Sequence, residues 1–472
     1  MLDNEKFRID SEFFLKKYIK AYRKIKSKPH DQLKTEISIL TDYHANGSYE
    51  ILNKHVNISD IVDFAYMVRS TDFECDDLEN NVKYINKHAY EFLSKSKIYG
   101  DELLINKIGS PGQVYLMPKL QRPVSLGMNL FMIRLKKCSD YNTKFLWIYF
   151  KSLIGLNIIK RKINGTVPLT IDKEAIKSLY IPKLTPCFQK IIENLVDISS
   201  NKKIVSKKLY NEANNTLLEK LKFKIDNSMG NKFNTKLLKD SFLSTNRLDA
   251  EYYQSKYDIL FNHLNNIETK KLGSIVNIKK SIEPGSDAYQ DSGIPFVRVS
   301  NISKFGLMDT EIYLNANKYS NEELCPKKDT ILLSKDGSVG IAYKIEEDMK
   351  LITSGALLHL NIIDDEFLPD YLTLVLNSQI VQLQAERDAG GSIIQHWKPS
   401  EIEEVIIPKL PLDNQKKISD LIQESFKLKK QSKQLLDIAK KAVEIAIEQD
   451  EVAGIDYINS HSELMQKDRK LH

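Results

Sequence analysis

The sequence predicts an α+β fold in which two similar domains are joined by two long helices, which form an antiparallel coiled coil with pseudo-twofold symmetry. Three observations predict this fold. The chain repeats itself, each half contains short apolar runs with the spacing of strands, and each half ends in a helix with a seven-residue apolar repeat. With 472 residues, the chain is also too long for one ordinary hydrophobic core.

The internal repeat is the strongest of the three observations. For example, FRIDSEFF at 7–14 returns as NRLDAEYY at 246–253, a shift of 239 residues. The other repeated pairs have shifts of 228 and 226: 101–112 with 329–340, 165–166 with 391–392, and 181–184 with 407–410. Because the segments keep their order while the shift falls in a few steps, we interpret them as a duplication with small changes in loop length.

Apolar runs in the middle of each half predict a sheet-rich α+β domain. In the second half they are separated by Gly, Asp, Ser and Asn, which favour turns, and they lie at 294–299, 330–333 and 356–360. A helix is expected around 145–153 and around 371–376. Each helix is followed by a strand-like segment, at 179–182 and 405–408. We therefore expect mainly antiparallel sheet in both halves.

A heptad pattern predicts the two long helices. In the second half one line of residues is apolar and an interleaved line is small: Leu421, Leu428, Leu435 and Ala442, with Ser425, Ser432, Ala439 and Ala446. The matching lines of the first half are Leu195, Lys202 and Leu209, with Ser199, Ser206 and Ala213. Small residues on one line favour closely packed helices, although Lys202 weakens the first pattern. The alternative is two unrelated amphipathic helices, each packed on its own domain.

The composition limits the classes of protein without choosing among them. Lysine and arginine exceed aspartate and glutamate by 69 to 63, and the pI is near 8.7, which suits nucleic acid but also many other soluble proteins. The four cysteines form no Cys-x-x-Cys pair, so a zinc ribbon is disfavoured and a reducing compartment is expected. No apolar run reaches about 18 residues, and the sequence predicts a cytoplasmic protein.

The sequence lacks the motifs of the common catalytic classes. We find no glycine-rich phosphate loop, no His-Glu-x-x-His, no Gly-x-Ser-x-Gly and no Asn-Pro-Pro-Tyr. Pro369-Asp370 lacks the Glu-x-Lys that would follow it in a nuclease, and the nine histidines show no ligand spacing. We therefore expect neither catalytic residues nor a metal site in this chain.

Several segments resemble those of the specificity subunits of type I restriction-modification systems, over about residues 1–450. The segments are GIPFVRVSNI at 293–302, DTILLSKDGSV at 329–339, PDYLTLVLNS at 369–378, IPKLPLDNQ at 407–415, TDYHANGSY at 41–49 and RSTDF at 69–73. The first half departs from the pattern, since Asn106-Lys107-Ile108 stands where Ser-Arg-x usually precedes Gly109. The contacts of this loop are therefore less well predicted than its fold.

The resemblance implies a DNA-binding subunit that performs no chemistry itself. Two target recognition domains would each bind half of a bipartite, asymmetric site in double-stranded DNA. The helices would hold them apart, at about 1.5 Å per residue or about 45 Å over some 30 residues, and would dock two methyltransferase subunits. Restriction subunits would join this core. S-adenosylmethionine for adenine methylation, ATP and Mg would bind the partner subunits and not this chain.

The expected domain boundaries follow from the repeat and the helices. They are 1–186 for the first target recognition domain, 187–223 for the first spacer helix, 224–245 for a linker, 246–410 for the second domain, 411–450 for the second helix, and 451–472 for a loosely ordered polar tail.

Basic and polar side chains near the family's motifs are the DNA-binding candidates. The basic candidates are Arg69, Lys107, Arg298 and Lys335. The polar candidates are Asp42, Tyr43, His44, Asn46, Thr71, Ser110, Ser300, Asn301, Ser338, Gln395 and His396. The partner-binding candidates on the helices are Leu195, Leu209, Leu421, Leu428 and Leu435.

Each of these assignments has a structural alternative. The lysines can be solvated strand ends, the arginines can pair with internal carboxylates, and Asp42 can cap a turn. Trp397 is more often a core residue than a wedge that stacks on bases. For the whole chain, the alternatives are the specificity subunit of a type IIB-like or other defence methyltransferase system, a single-chain DNA-modifying enzyme, and a scaffold that does not bind DNA.

Overall fold

A computed structural model describes residues 7–74, 78, 82–165, 167–224, 234–390 and 395–465. One predicted repeat pair therefore lies partly outside the described residues, since Thr166, Gly391 and Ser392 are not among them. Part of the predicted linker, 225–233, and the end of the predicted tail, 466–472, also lie outside.

The chain forms two units whose boundary falls inside the long helices. The first unit is Met1–Lys202 with Lys430–His472, and the second is Lys203–Lys429. The sequence predicted spacer helices that are separate from the two domains. In the structure, each long helix instead contributes one part of its length to the core of each unit. Leu435 of the last long helix, for example, lies in the core of the first unit, whereas Ile418 lies in the core of the second.

The described part of the first unit contains ten strands, and most of its helices lie in the first half of the chain. Its strands are β1 (His30–Gln32), β2 (Ile37–Asp42), β3 (Ala65–Val68), β4 (Lys83–Ile85), β5 (Lys97–Ile98), β6 (Leu103–Asn106), β7 (Val114–Leu116), β8 (Val124–Leu126), β9 (Leu130–Leu135) and β10 (Tyr180–Pro182). Its helices are α1 (Lys16–Lys26), α2 (Tyr49–His55), α3 (Ser70–Glu74), α4 (Lys87–Phe92), α5 (Thr143–Lys151), α6 (Leu153–Lys160), α7 (Lys173–Lys177) and the beginning of α8 (Pro186–Lys220).

The second unit follows the same plan. Its strands are β11 (Thr269–Lys271), β12 (Val276–Lys280), β13 (Ile294–Val297), β14 (Ile302–Ser303), β15 (Gly306–Leu307), β16 (Tyr313–Leu314), β17 (Ile331–Ser334), β18 (Ala342–Lys344), β19 (Ile352–Thr353), β20 (Leu357–Ile362) and β21 (Ile406–Pro408). Its helices are α9 (Phe242–Thr245), α10 (Ser255–Leu264), α11 (Leu272–Ile275), α12 (Pro369–Asn377), α13 (Gln379–Asp388), α14 (Pro399–Glu403) and the beginning of α15 (Leu412–Glu448). The last helix, α16 (Glu451–Asn459), belongs to the first unit.

The strand order shows that the two units are copies of one topology. The four-stranded antiparallel sheet β2-β9-β6-β7 has its counterpart in β12-β20-β17-β18. A second sheet contains a parallel pair in each unit, β3 with β8 and β13 with β19, and β1-β10 corresponds to β11-β21. The hairpin of β14 and β15 has no equivalent sheet in the described part of the first unit.

The central strand of each four-stranded sheet is buried on both faces. Leu103 and Ile105 of β6 face one hydrophobic cluster, and Leu104 between them faces another. In β17, Ile331 and Leu333 alternate with Leu332 in the same way. Because successive strand residues point to opposite faces, a strand covered on both sides appears in the sequence as a continuous apolar run.

The long helices pack in antiparallel fashion on their small residues, as the heptads predicted. In the first unit the hydroxyl groups of Ser199 and Ser432 lie 2.9 Å apart, and each donates to the backbone carbonyl of the other residue. In the second unit the hydroxyl groups of Ser206 and Ser425 lie 3.2 Å apart. The ammonium group of Lys202, the residue that weakened the pattern, donates to the side-chain oxygen of Gln431 at 2.8 Å.

The predicted seam leucines are largely buried. Leu195, Leu428 and Leu435 are fully enclosed, Leu209 is nearly so, and Leu421 is half-buried beside Ile422. The leucine lines therefore supply the helices' own packing. No helix among the described residues is both long enough and apolar enough to span a membrane.

The predicted tail is wrong for its first nine residues, which form α16. The Asp450 side chain accepts a hydrogen bond from the backbone of Ala453 and so caps this helix. Gly454 lies against Phe188 so closely that a Cβ atom there would approach the ring to 3.0 Å, and Ile458 is buried. This short helix therefore packs on the core of the first unit through Gly454 and Ile458.

Candidate nucleic-acid interface

Matching loops follow the central strands β6 and β17, and we call residues 107–112 and 335–340 the glycine loops. The third residue of each, Gly109 or Gly337, has a positive φ of 90° or 75°. No atom lies within 4 Å of the position that a Cβ would occupy at either glycine. A side chain at these positions would strain the backbone, while the open space allows a ligand to approach it closely.

The same backbone hydrogen bonds hold both glycine loops. The N–H of Gly112 donates to Asn106 and that of Gly340 donates to Ser334, both at 2.9 Å. A second loop also supports each one, because the carbonyl of Lys107 accepts from Ile171 and the equivalent carbonyl, that of Lys335, accepts from Trp397. Trp397 is fully buried, so its interpretation as a core residue is correct.

A buried carboxylate organises the cations beside the first glycine loop. Asp42, at the end of β2, lies 3.1 Å from the ammonium nitrogen of Lys107 and 2.8 Å from that of Lys173. Burial raises the pKa of Asp42, but hydrogen bonds from the two ammonium groups outweigh it, so the pKa is lower than usual. The group therefore carries two positive charges for one negative charge.

The second glycine loop has a comparable cluster made of different residues. Asp336 forms an ion pair with Lys335 and lies 2.8 Å from Nδ1 of the exposed His396. Burial raises the pKa of Asp336, but hydrogen bonds from Lys335 and His396 outweigh this effect, so the pKa is lower than usual. The two loops thus share one backbone arrangement but present different side chains.

The remaining candidates of the first unit divide into internal and exposed residues. Tyr43 is buried in a hydrophobic cluster. The Asn46 amide donates to the carbonyl of Tyr43 and to the hydroxyl of Ser96, so it holds the loop together. Asp42, Tyr43 and Asn46 were predicted as groove contacts, but their side chains are used inside the protein. His44 is the exposed residue of that group.

Arg69 pairs with an internal carboxylate, which was the alternative to DNA contact for this residue. Its guanidinium group lies 2.6 Å from the carboxylate of Asp72, which is almost fully buried. Thr71 and Ser110 are exposed.

In the second unit most candidates reach the surface. The exposed ones are Arg298, Ser300, Ser338, Gln395 and His396. Asn301 is half-buried, and its side chain accepts from the backbone N–H of Arg298 at 3.1 Å and donates to the carbonyl of Asp309. Asn301 therefore shapes the segment that presents Arg298 and Ser300.

Sequence reasoning missed Lys173 at this interface. The repeat does not signal it, because the equivalent position of the second half is Pro399. Its contact with Asp42 joins residues 131 positions apart. Among the described residues, no group of three or more His, Cys, Asp or Glu side chains could hold a metal ion.

Residues 265–437 match the family model of the type I restriction modification DNA specificity domain. This range contains the second glycine loop and most of the second unit. This segment of the chain is therefore similar to a DNA specificity domain of type I restriction-modification systems. The first unit, which lies outside the matched range for most of its length, has the same strand topology as the second unit.

Three of the solved structures that are similar to this chain are the following. The S subunit from M. genitalium is 15% identical, with 88% of this chain and 94% of that chain covered and a TM-score of 0.40. The HsdS subunit from Thermoanaerobacter tengcongensis is 13% identical, with 89% and 97% covered and a TM-score of 0.28. A chain from a study of complex assembly and conformational transition of the type I R-M system is 14% identical, with 89% and 98% covered and a TM-score of 0.28. No curated protein sequence matches the chain.

Proposed function

We propose that each unit binds one half of a bipartite, asymmetric site in double-stranded DNA. The observation that carries this proposal is the pair of glycine loops, which have one backbone arrangement and two different sets of side chains. A shared backbone favours a shared way of approaching the duplex. Different side chains favour different base sequences in the two halves.

The proposed contacts follow from charge and exposure. We propose that phosphates contact Lys107 and Lys173 in the first unit and Lys335 and His396 in the second. The support is that carboxylates hold these basic groups beside the glycine loops. The exposed side chains around them are the candidates for base edges, namely His44, Thr71 and Ser110 in the first unit and Arg298, Ser300, Ser338 and Gln395 in the second.

We further propose that the chain has no catalytic role and works in a complex. Its partners would be two adenine methyltransferase subunits and the restriction subunits, and these partners would bind S-adenosylmethionine, ATP and Mg. The chain would supply the sequence specificity, and its partners would supply methyl transfer and cleavage.

Sequencing of methylated bases in the host, with and without this gene, tests the proposal. We expect the gene to be required for methylated adenines in one motif made of two different half-sites with a gap of fixed length. An unchanged methylome in cells that express the complex would contradict the proposal. Purified chain incubated with S-adenosylmethionine and duplex provides the control. Methyl transfer by the chain alone would identify a single-chain enzyme, and duplex binding without sequence preference would indicate a scaffold.

A further inference from the structure

At the start of each repeat, an anchored segment points one aliphatic side chain into solvent. We call residues 7–14 and 246–253 the arms. The side chain of Ile9 in the first arm is 95% exposed, and that of Leu248, its equivalent in the second, is 74% exposed. Both are flanked by an arginine on one side and an aspartate on the other.

An arginine fork fixes each arm around the aliphatic residue. The guanidinium group of Arg8 donates two hydrogen bonds of 2.7 Å to the carboxylate of Asp10, and a third of 2.8 Å to the carbonyl of Ile163. Arg247 forms the same fork with Asp249 and donates to the carbonyl of Asp388 at 3.3 Å. Such bidentate pairs hold a defined geometry.

A second arginine anchors each arm through cation–π contacts with aromatic rings. In the first unit, the buried guanidinium of Arg161 lies 4.1 Å from the ring centre of Phe13 and 4.4 Å from that of Tyr22. In the second unit, Arg387 lies between Tyr252, at 5.0 Å, and Phe261, at 4.1 Å. All three positions of this sandwich are related by the shifts of the duplication, so both halves have kept the whole anchor.

The exposed aliphatic residue has no role in this anchor. The fork and the sandwich involve arginine, aspartate and aromatic side chains, whereas Ile9 and Leu248 face water. A single exposed leucine is common on protein surfaces. Here, however, both halves have an aliphatic residue at the same position of the anchored arm, although the side chains of the neighbouring glycine loops differ. This pattern is expected of a residue that binds a partner.

The arms adjoin the proposed DNA-reading surface. In the first unit, Ile163 accepts the bond from Arg8 and also lies against the glycine loop, since a Cβ on Gly112 would come within 3.4 Å of its side chain. In the second unit, the carbonyl that Arg247 binds lies two residues before Gly390, whose backbone pairs with His396. A partner docked on either arm would therefore be close to the DNA bound by that unit.

The charge around the arms disfavours DNA itself as the partner. Each exposed aliphatic residue is followed by an aspartate and, two residues later, by a glutamate. These glutamates, Glu12 and Glu251, are exposed. Their carboxylates would repel phosphates, so an apolar pocket on a protein is the better match.

We propose that Ile9 and Leu248 are two equivalent docking points for the methyltransferase subunit, each inserted into an apolar pocket of one copy. The presence of one arm in each unit accounts for a partner that binds in two copies, and the position beside the glycine loops accounts for a partner that acts on the same DNA. This inference rests on the function proposed above.

Serine substitutions in the full chain test the arms. Ile9→Ser and Leu248→Ser should each weaken the binding of one methyltransferase copy by about 10- to 100-fold, the loss expected for an aliphatic side chain that no longer becomes buried. Native mass spectrometry with the methyltransferase from the same locus should then show mainly one bound copy instead of two. The double variant should bind neither copy tightly. Both residues are exposed, so folding should be unchanged.

Two variants of similar exposure outside the arms serve as controls. Ile61→Ser, from a residue that is 78% exposed in the first unit, and Ile363→Ser, from one that is 67% exposed in the second, should keep both copies bound. If the arm variants also keep both copies at unchanged affinity, the inference is overturned. Weaker duplex binding with both copies retained would overturn it as well, since the arms would then contact DNA. If the wild-type chain captured no methyltransferase, the proposed function itself would fail.

Discussion

At the scale of single residues, buried carboxylates determine which basic side chains the protein presents beside its glycine loops. Asp42 and Asp336 each hold two basic side chains next to a glycine loop. These contacts reduce the conformational freedom of the long side chains in the free protein, so less entropy would be lost in the proposed contacts with DNA. Asp42 and Asp336 are thus positioning residues, and the basic groups they hold are the proposed contacts.

His359 in the second unit provides a prediction on pH dependence. It is buried in strand β20, where it shares a hydrogen bond of 2.8 Å with the hydroxyl of Thr353. Burial lowers its pKa from 6.5 to about 4. Between these values the unfolded chain binds a proton that the folded chain excludes, so stability should be complete above pH 6.5 and should fall as the pH drops towards 4, by up to about 3 kcal/mol.

The variant His359→Met isolates this effect, because methionine occupies the equivalent position, Met132, in the first unit. Urea unfolding at pH 7 and pH 4.5 should show a smaller loss of stability for the variant than for the wild type. Equal losses would show that His359 titrates normally in the folded protein.

At the scale of elements, the two units have the same strand topology but differ in the charges at equivalent positions. In the first unit, α5 is tied to α8 by Lys144, which lies 2.5 Å from the carboxylate of Asp197. At the equivalent position of α12, Asp370 lies 2.9 Å from Lys344 and accepts a hydrogen bond from Gln423. In each unit, therefore, a polar contact joins this short helix to the long helix beside it. The charge at the equivalent position is positive in the first unit, at Lys144, and negative in the second, at Asp370.

The long helices provide a prediction on packing. Ser432 and Ser199 each donate to the other's backbone carbonyl in the first unit, which places the two backbones too close for a large residue. Ser432→Leu should destabilise this unit by about 1–3 kcal/mol through overpacking. Ser432→Ala, which loses a hydrogen bond but fits the space, should destabilise it by about 1 kcal/mol.

Thermal unfolding measures both variants, with Lys441→Leu on the exposed face of α15 as a control. A Ser432→Leu protein as stable as the control would show that the helices can separate without loss, and the close packing would then have no energetic role.

At the scale of the whole molecule, the two units should contribute independently to DNA binding. Lys107→Gln and Lys335→Gln each remove one proposed phosphate contact, one from each unit. Each should weaken binding to the methylated motif and reduce its salt dependence by about one counterion. Because the substitutions lie in separate units, their free-energy effects in the double variant should add within about 0.5 kcal/mol.

Titration of duplexes that carry the complete motif, at several salt concentrations, measures these effects. Lys441→Gln is the control, since Lys441 lies on α15 beside Glu444 and belongs to neither glycine loop. A Lys335 variant that binds as well as the wild type, together with a weakened Lys107 variant, would show that only one unit contacts DNA through its glycine loop.

The sequence by itself determined the duplication, the central strands, the phase of the long helices and the glycine loops. These features depend on local periodicity, on turn residues and on the comparison of one half with the other, all of which can be read along the chain. The heptads even located the serine pairs that bring the helices together. Helix α16 was missed, because its nine residues are too few to show a clear helical periodicity.

Only the tertiary structure decided which polar residues are internal and which are exposed. Asp42, Lys107 and Lys173 come from three distant parts of the chain, and no local pattern indicates that they meet. The position of Arg161 between Phe13 and Tyr22 is likewise not indicated by any local pattern. The anchoring of the first arm could therefore not be predicted from the sequence. The free energy of a charged side chain depends on its burial and its partners, and both are properties of the folded chain.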